Sequence, residues 1–181
     1  EKFRDLERSY AGQHLDRRAA RVGRPRDGDL VLGVVGTGGR GHRERARLRE
    51  HLLALDEHAR YLRFGFSATD TQIVHYTDTL DFDRDEVFGI FNRRLELIAM
   101  AHLAYAPAPQ IKGQAAMAEF GVSVSKHARG RGLGARLFDH AILHARNRHI
   151  SKLFIYALSE NSAMLKIASN AMMAFVNNVC S

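Results

Sequence analysis

The chain has 181 residues, a net charge of +7 at neutral pH, 45% hydrophobic residues and a single cysteine, Cys180. This length fits one domain with a sizeable core. No apolar run approaches the ~20 residues that span a bilayer, and one cysteine excludes an internal disulfide. We therefore expect a cytoplasmic protein without a membrane partner, in which a basic, partly flexible extension (1–28) precedes one domain (29–181).

The first part of the domain predicts a strand followed by two helices. Leu30–Val35 has the apolar, β-branched composition of a strand. Leucine and alanine recur at spacings of three and four from Glu44 to Leu62, which predicts one long helix. A weaker helix is predicted over Ala68–Leu80, with Thr69 or Asp70 as its N-cap.

Strands dominate the second part, with helices between and after them. Three strand-like runs are predicted to be antiparallel neighbours: Glu86–Phe91, Leu95–Tyr105 and Ala115–Ser125. A helix over Gly134–Arg148, a strand over Lys152–Leu158 and a helix that opens near Asn161 follow. Met173–Val176 predicts one more short strand.

A glycine-rich loop, Arg129 to Gly134, joins the third of the three strands to the next helix. Its alternating glycines allow a tight turn and a close backbone approach to a ligand. A helix that starts on such a loop presents unpaired N–H groups, and its dipole favours an anion. Arg129 and Arg131 add charge-assisted hydrogen bonds. The loop therefore predicts a phosphate site.

This ordered set of strand, glycine loop, helix, strand and asparagine resembles the GNAT superfamily of N-acetyltransferases. Arg129, Gly132 and Gly134 occupy the fixed positions of the family's Gln/Arg-x-x-Gly-x-Gly/Ala pattern, and Asn161 stands where an asparagine recurs. The match extends over about Glu86 to Asn170. It implies an α/β (α+β) GNAT fold, with a mixed, mostly antiparallel central sheet flanked by helices. The family's last strand has no counterpart in the sequence, which implies either truncation or a strand supplied otherwise.

The resemblance also implies an acyltransferase that uses acetyl-CoA as co-substrate and needs no metal. The pantetheine arm would pair with the third strand, and the pyrophosphate would lie on the loop. Asn161 would cap its helix, contact the CoA arm, or do both. A main-chain N–H of the strand would polarise the thioester carbonyl. The implied acetyl-CoA contacts are Val122, Ser123, Val124, Arg129, Gly130, Arg131, Gly132, Leu133, Gly134, Ala135 and Asn161.

Glu119 is the candidate general base. It lies in the apolar run Ala118-Glu119-Phe120, where burial would raise its carboxyl pKa and suit it to take a proton from an ammonium group. The Ala-Glu-Phe run and the valines after it are similar to the bacterial protein-lysine acetyltransferase branch, whose strand glutamate is the base. Alternatively, the period of two in a strand places Glu119 in solvent and its two neighbours in the core.

Three positions depart from the family pattern. Ala168 stands where many members have a tyrosine that protonates the thiolate, Met172 replaces a usual glycine, and Lys126 replaces a frequent proline. The missing tyrosine and Met172, together with the absence of the family's last strand, favour, as an alternative, a weak or inactive acyl-CoA-binding or regulatory module. The acceptor stays open between protein lysine and a small amine, with specificity expected from Arg60–Asp70. A homodimer is compatible with the sequence.

Other motifs point to functions that the sequence supports less well. Gly36–Gly41 fits the G-x-G-x-x-G dinucleotide fingerprint, but the acids about 20 residues later fall inside a predicted helix. His140 and His144 have the spacing of a zinc pair, but no third ligand is evident, and a solvated helix face fits better. Nucleic-acid binding is disfavoured because the arginines alternate with acids and no aromatic-plus-basic motif accompanies them.

Overall fold

A computed structural model describes residues 30–35, 41–106 and 116–177. The predicted N-terminal extension, residues 36–40 of the glycine run, and the prolines at 107 and 109 lie outside these ranges. The strands are β1 (Val31–Val35), β2 (Glu86–Phe91), β3 (Leu97–Tyr105), β4 (Met117–Val124) and β5 (Lys152–Ile155). The helices are α1 (Gly41–Leu53), α2 (Glu57–Phe64), α3 (Asp70–Thr79), α4 (Leu133–Asn147) and α5 (Ser162–Asn177).

The strands form one sheet in the order β1-β2-β3-β4-β5, antiparallel except for the parallel pair β4 and β5. The predicted mixed, mostly antiparallel sheet flanked by helices is thus confirmed. β3 accompanies β4 as far as Val124, but β5 pairs with β4 only from Met117 to Phe120. The second half of β4 therefore has a neighbouring strand on one side only.

Both faces of the sheet are covered because side chains alternate along each strand. α4 covers one face, where the rings of Phe120 and Phe138 meet edge to face at 5.0 Å. α1 and α3 cover the other face, where Leu48, Leu52 and Ile73 are buried. Across the described ranges, no helix combines the length and apolarity needed to cross a membrane.

The long helix predicted after β1 is in fact two helices, α1 and α2. Asp56 caps α2 by accepting a hydrogen bond from the N–H of Ala59 at 2.8 Å. The Arg60 guanidinium donates to the carbonyls of Leu53 at 2.7 Å and Leu55 at 3.1 Å, which the break leaves without helical partners. Apolar spacing continues across this turn, so periodicity alone did not reveal it.

Two strand predictions near the C-terminal end are corrected. Met173–Val176 is not a strand, because α5 continues as a helix to Asn177. Methionine and alanine favour a helix once one has started, and four apolar residues are too few to distinguish the two states. The predicted strand over Lys152–Leu158 ends early, at Ile155. Of the two candidate caps for α3, Thr69 forms the capping box with Gln72.

We expect Leu137→Ala to lower the free energy of unfolding by about 2–5 kcal/mol, because Leu137 is fully buried and its loss leaves a cavity under the glycine loop's helix. Leu143→Ala is the matched control, since Leu143 lies on the same helix and is 37% exposed. Its loss should be less than half as large. Urea unfolding of both variants measures the difference, and equal losses would contradict this account of the core.

Candidate functional site

The second half of β4 has main-chain groups on one side that no neighbouring strand uses. Backbone hydrogen bonds connect Ser125 with Ile98 and Met117 with Ala106, both at 2.9 Å, so the odd-numbered residues of β4 bond to β3. The N–H and C=O groups of Val122 and Val124 consequently point to the side on which β5 has already ended. No other strand of the described chain lies there. This edge can accept an extended ligand as an added strand.

The glycine loop follows directly. After a 3₁₀ turn over Lys126–Ala128, Gly130 and Gly132 have φ of +74° and +71°. This left-handed backbone strains residues that carry a Cβ, so glycine is needed at both positions. α4 begins at Leu133, and no side chain caps it. Its first N–H groups therefore remain free for an anion.

A cavity of about 610 Å³ lies between β4, the loop, α2 and α5. All the predicted cofactor residues line it except Arg131. Those in the wall are Val122, Ser123, Val124, Arg129, Gly130, Gly132, Leu133, Gly134, Ala135 and Asn161. The structure thus places the free edge of β4 and the helix start in one continuous wall.

Two helices complete the wall with residues that were not among the predicted cofactor contacts, although Leu62 and Arg63 belong to the segment predicted to set acceptor specificity. The added residues are His58, Ala59, Leu62 and Arg63 on α2, and Ala163, Met164, Lys166 and Ile167 on α5. Their spacings of three and four mark one face of each helix, but spacing does not say which element that face meets. α5 comes close to the loop because Gly134 is small: a Cβ there would lie 3.2 Å from Ile167 Cδ1.

Asn161 and Arg129 have structural contacts as well as places in the wall. The Asn161 Oδ1 accepts a hydrogen bond from Met164 N at 3.1 Å, so the capping role is confirmed. Arg129 donates through Nε to the Val124 carbonyl at 3.3 Å and pairs with Asp56 at 3.4 Å. These contacts hold Arg129 beside the free edge of β4 and the start of α2.

Glu119 does not meet the expectation of burial. It is exposed, whereas Ala118 and Phe120 are buried, so the alternative based on the period of two is correct and the argument from burial is wrong. Glu119 is not part of the cavity wall. It lies on the same face of β4 as Gly121 and Ser123, and its role as a base stays a prediction.

A buried histidine backs the wall. His51 Nδ1 lies 3.0 Å from the Leu97 carbonyl, and its Nε2 lies 2.9 Å from Ser123 Oγ. Because a carbonyl can only accept, Nδ1 carries the proton and Nε2 accepts from the Ser123 hydroxyl. Burial lowers the pKa of His51 from its usual 6.5 to about 4. His51 is therefore neutral at physiological pH.

A chain of polar side chains crosses the same face of the sheet. His102 lies 3.1 Å from Asp85 through Nε2 and 2.8 Å from the Tyr76 hydroxyl through Nδ1. Tyr76 accepts a hydrogen bond from Arg63 Nη2 at 2.9 Å. Although burial opposes it, hydrogen bonds from His102 and Arg84 hold the pKa of Asp85 well below its usual range. Burial raises the pKa of Tyr76.

His140 and His144 do not form the solvated face that the sequence suggested. Both are half-buried, and their rings contact Phe88 at 4.9 and 4.8 Å. His144 Nδ1 lies 3.0 Å from Glu86 Oε2. Within the described ranges, no group of three or more His, Cys, Asp or Glu side chains is arranged to hold a metal ion.

Comparison with known proteins identifies the family to which this chain belongs. The model of the acetyltransferase (GNAT) family matches residues 54–169, more than half of the chain. The chain belongs to this family. The family match does not specify a branch within the family, and no curated protein matches the chain significantly.

Solved structures share the fold at low sequence identity. The GNAT domain of PAT from S. lividans is 20% identical, with a TM-score of 0.62, over 78% of this chain and 80% of that one. An aminoglycoside N-acetyltransferase in complex with CoA is 14% identical, with a TM-score of 0.58, over 81% and 89%. Glucosamine-6-phosphate N-acetyltransferase from Arabidopsis thaliana is 14% identical, with a TM-score of 0.53, over 76% and 88%.

We expect the stability of the protein to fall below pH 6.5 because of His51. Between pH 6.5 and 4 only the unfolded state protonates this side chain, so acid favours unfolding. The loss from this residue should be about 2 kcal/mol between pH 7.5 and 4.8. Urea unfolding at both pH values measures it. His51→Gln should be less stable at pH 7.5 but should lose less on acidification; equal losses would contradict the assignment.

Proposed function

We propose that the cavity binds acetyl-CoA and that the protein transfers its acetyl group to a primary amine. The main support is that the free edge of β4, at Val122 and Val124, is continuous with the uncapped start of α4. An extended amide-containing arm that ends in a pyrophosphate matches this order of groups. Membership in the family and the CoA bound by one structural neighbour support the choice.

Each part of the wall has a distinct task in this proposal. The main chain of Val122 and Val124 would hydrogen-bond the pantetheine amides, with Ser123 between them. The free N–H groups at Leu133, Gly134 and Ala135 would receive the pyrophosphate, with Arg129 and Arg131 supplying positive charge. Gly130 and Gly132 would let the backbone approach it closely. Asn161, already a helix cap, would contact the arm from the opposite wall.

The chemical step needs a free amine beside a polarised thioester. A main-chain N–H at the free edge of β4 would polarise the carbonyl. Glu119, which shares a face of β4 with Gly121, would take the ammonium proton directly or through water. The amine nitrogen then forms a bond to the carbonyl carbon and loses its second proton to solvent, and the carbon–sulfur bond breaks. Ala168 offers no hydroxyl for the thiolate, so solvent would protonate it.

In this proposal the acetyl acceptor is a primary amine, either a protein lysine or a small molecule. The Ala-Glu-Phe run favours the lysine-modifying branch. A module that binds acetyl-CoA without turnover is the second candidate, and the exposure of Glu119 together with Ala168 favours it. Binding and turnover therefore need separate tests.

Calorimetric titration with acetyl-CoA tests the cavity. We expect the native chain to bind and the Arg129→Ala, Gly132→Asp double variant to lose binding, because it removes a cation and places a carboxylate and a Cβ at a left-handed position. Arg94→Ala is the control, since Arg94 is exposed in the turn between β2 and β3. Thermal unfolding confirms that each variant is folded. Unchanged binding by the folded double variant would contradict the site.

Removal of the Glu119 carboxylate tests turnover. We expect Glu119→Gln to lower kcat by about 10²–10⁴-fold at neutral pH, the usual contribution of a general base, with acetyl-CoA binding intact. Asp139→Asn is the control, because Asp139 is exposed on α4, on the side opposite the helix's buried face. A Glu119→Gln variant that transfers acetyl groups at the native rate would exclude Glu119 as the base.

A further inference from the structure

Arg63 lies over the point in β4 at which the pairing with β5 ends. A Cβ built on Gly121 would lie 2.6 Å from Arg63 Cζ, so the guanidinium rests against the bare main chain at this position. Gly121 follows Phe120, the last residue of β4 that pairs with β5. Arg63 also lines the cavity. Its positive charge therefore lies at the inner end of the proposed acetyl-CoA site, beside the free edge.

The hydrogen-bonding capacity of Arg63 is largely unused. Its Nη2 donates to the Tyr76 hydroxyl at 2.9 Å. Its Nε is buried and has no acceptor among the described residues, and no described carboxylate is within ion-pair distance of it. Arg60, on the same helix, instead pairs with Asp70 at 2.6 Å. A half-buried cation without a paired carboxylate can gain charge-assisted hydrogen bonds from a ligand that supplies oxygen atoms.

The neighbours of Arg63 hold the guanidinium in place without neutralising it. Its Cζ lies 5.1 Å from the Phe64 ring centre and 5.6 Å from that of Tyr76. The Tyr76 hydroxyl donates to His102 Nδ1, because His102 Nε2 donates to Asp85. The Tyr76 oxygen is thereby turned so that its lone pairs accept from Arg63. A guanidinium held in this way binds a ligand with little loss of conformational entropy.

Glu119 supplies the opposite charge on the same face. It precedes Gly121 by two residues, which is about 7 Å along a strand. Because the Arg63 guanidinium rests on Gly121, a carboxylate and a guanidinium lie on one face of β4, and together they complement a molecule that carries both an ammonium and a carboxylate. Arg forms bidentate hydrogen bonds with carboxylates, which fixes the orientation of such a ligand.

We propose that Arg63 binds the carboxylate of the acceptor, so that the acceptor is a free amino acid rather than a lysine side chain within a protein. This rests on the proposed function, in which Glu119 receives the proton of the acceptor's ammonium. Tyr76, His102 and Asp85 are positioning residues that act through Arg63. Recognition of the carboxylate would place the amine beside the free edge of β4.

Acetyl transfer to matched acceptors tests the proposal. The panel consists of free amino acids of different chain length, their methyl esters, and a peptide with one internal lysine. We expect the native chain to prefer each acid over its ester by at least about tenfold in kcat/KM, the value of one charged hydrogen-bonded contact. Arg63→Met should raise KM for the acids by a similar factor, leave that for the esters unchanged and remove the preference.

Two further variants guard against misfolding, and a third is the control. Arg63→Lys keeps the charge but not the bidentate geometry, and Tyr76→Phe keeps the ring but removes the hydroxyl that accepts from the guanidinium and donates to His102. Both should raise KM for the acids by less than Arg63→Met does, with kcat nearly unchanged. Arg94→Met, at an exposed position, should behave as the native chain. Thermal unfolding shows whether each variant is folded.

Several outcomes would overturn the proposal that Arg63 binds the acceptor. They can be distinguished from results that would contradict the proposed acetyl transfer itself. Equal use of acids and esters, or transfer only to the peptide lysine, would exclude carboxylate recognition while leaving acetyl transfer established. An equal loss of kcat for acids and esters in Arg63→Met would assign Arg63 to the thioester instead. Absence of calorimetric acetyl-CoA binding by the native chain would contradict the proposed function itself.

Discussion

The early end of the pairing between β4 and β5 is the constraint on which the site depends. β5 has only four residues, and the chain leaves the sheet after Ile155, so Tyr156 is 74% exposed. β3 continues beside β4 to Val124, which keeps the free half of β4 extended. Without this difference in length, the main-chain groups of Val122 and Val124 would be used within the sheet, and no cavity would open beside them.

The two faces of the sheet contribute differently to the site. The face under α4 is apolar, and it holds the helix whose N-terminus forms one end of the cavity. The face under α1 and α3 contains polar groups, among them His51, Tyr76 and His102, that are hydrogen-bonded to one another or to the main chain. Among buried side-chain atoms of the described chain, only Arg63 Nε lacks a partner. This one buried atom without a hydrogen-bond partner belongs to a residue of the cavity wall.

Much of the fold and part of the site could be predicted from local pattern. The β2 boundaries, a cap at Thr69 or Asp70 and the Asn161 cap follow from residue types whose preferences act within a few positions. The glycine loop was predictable for the same reason, because a positive φ at Gly130 and Gly132 is a local demand on the backbone. Where pattern failed, as in the break between α1 and α2, apolar spacing persisted across a turn.

The contacts that give the cavity its chemistry lie beyond local pattern. Arg63 and Gly121 are far apart in the chain, and nothing in either segment indicates that a guanidinium rests on that glycine. The same holds for the His51–Ser123 hydrogen bond and for the approach of α5 to Gly134. The order of most elements and the conformation of the glycine loop are therefore properties of the sequence, set by short-range backbone preferences. Which charges face the loop, and which of them remain unpaired, is decided only when helices and sheet pack, since packing alone sets distances between remote residues.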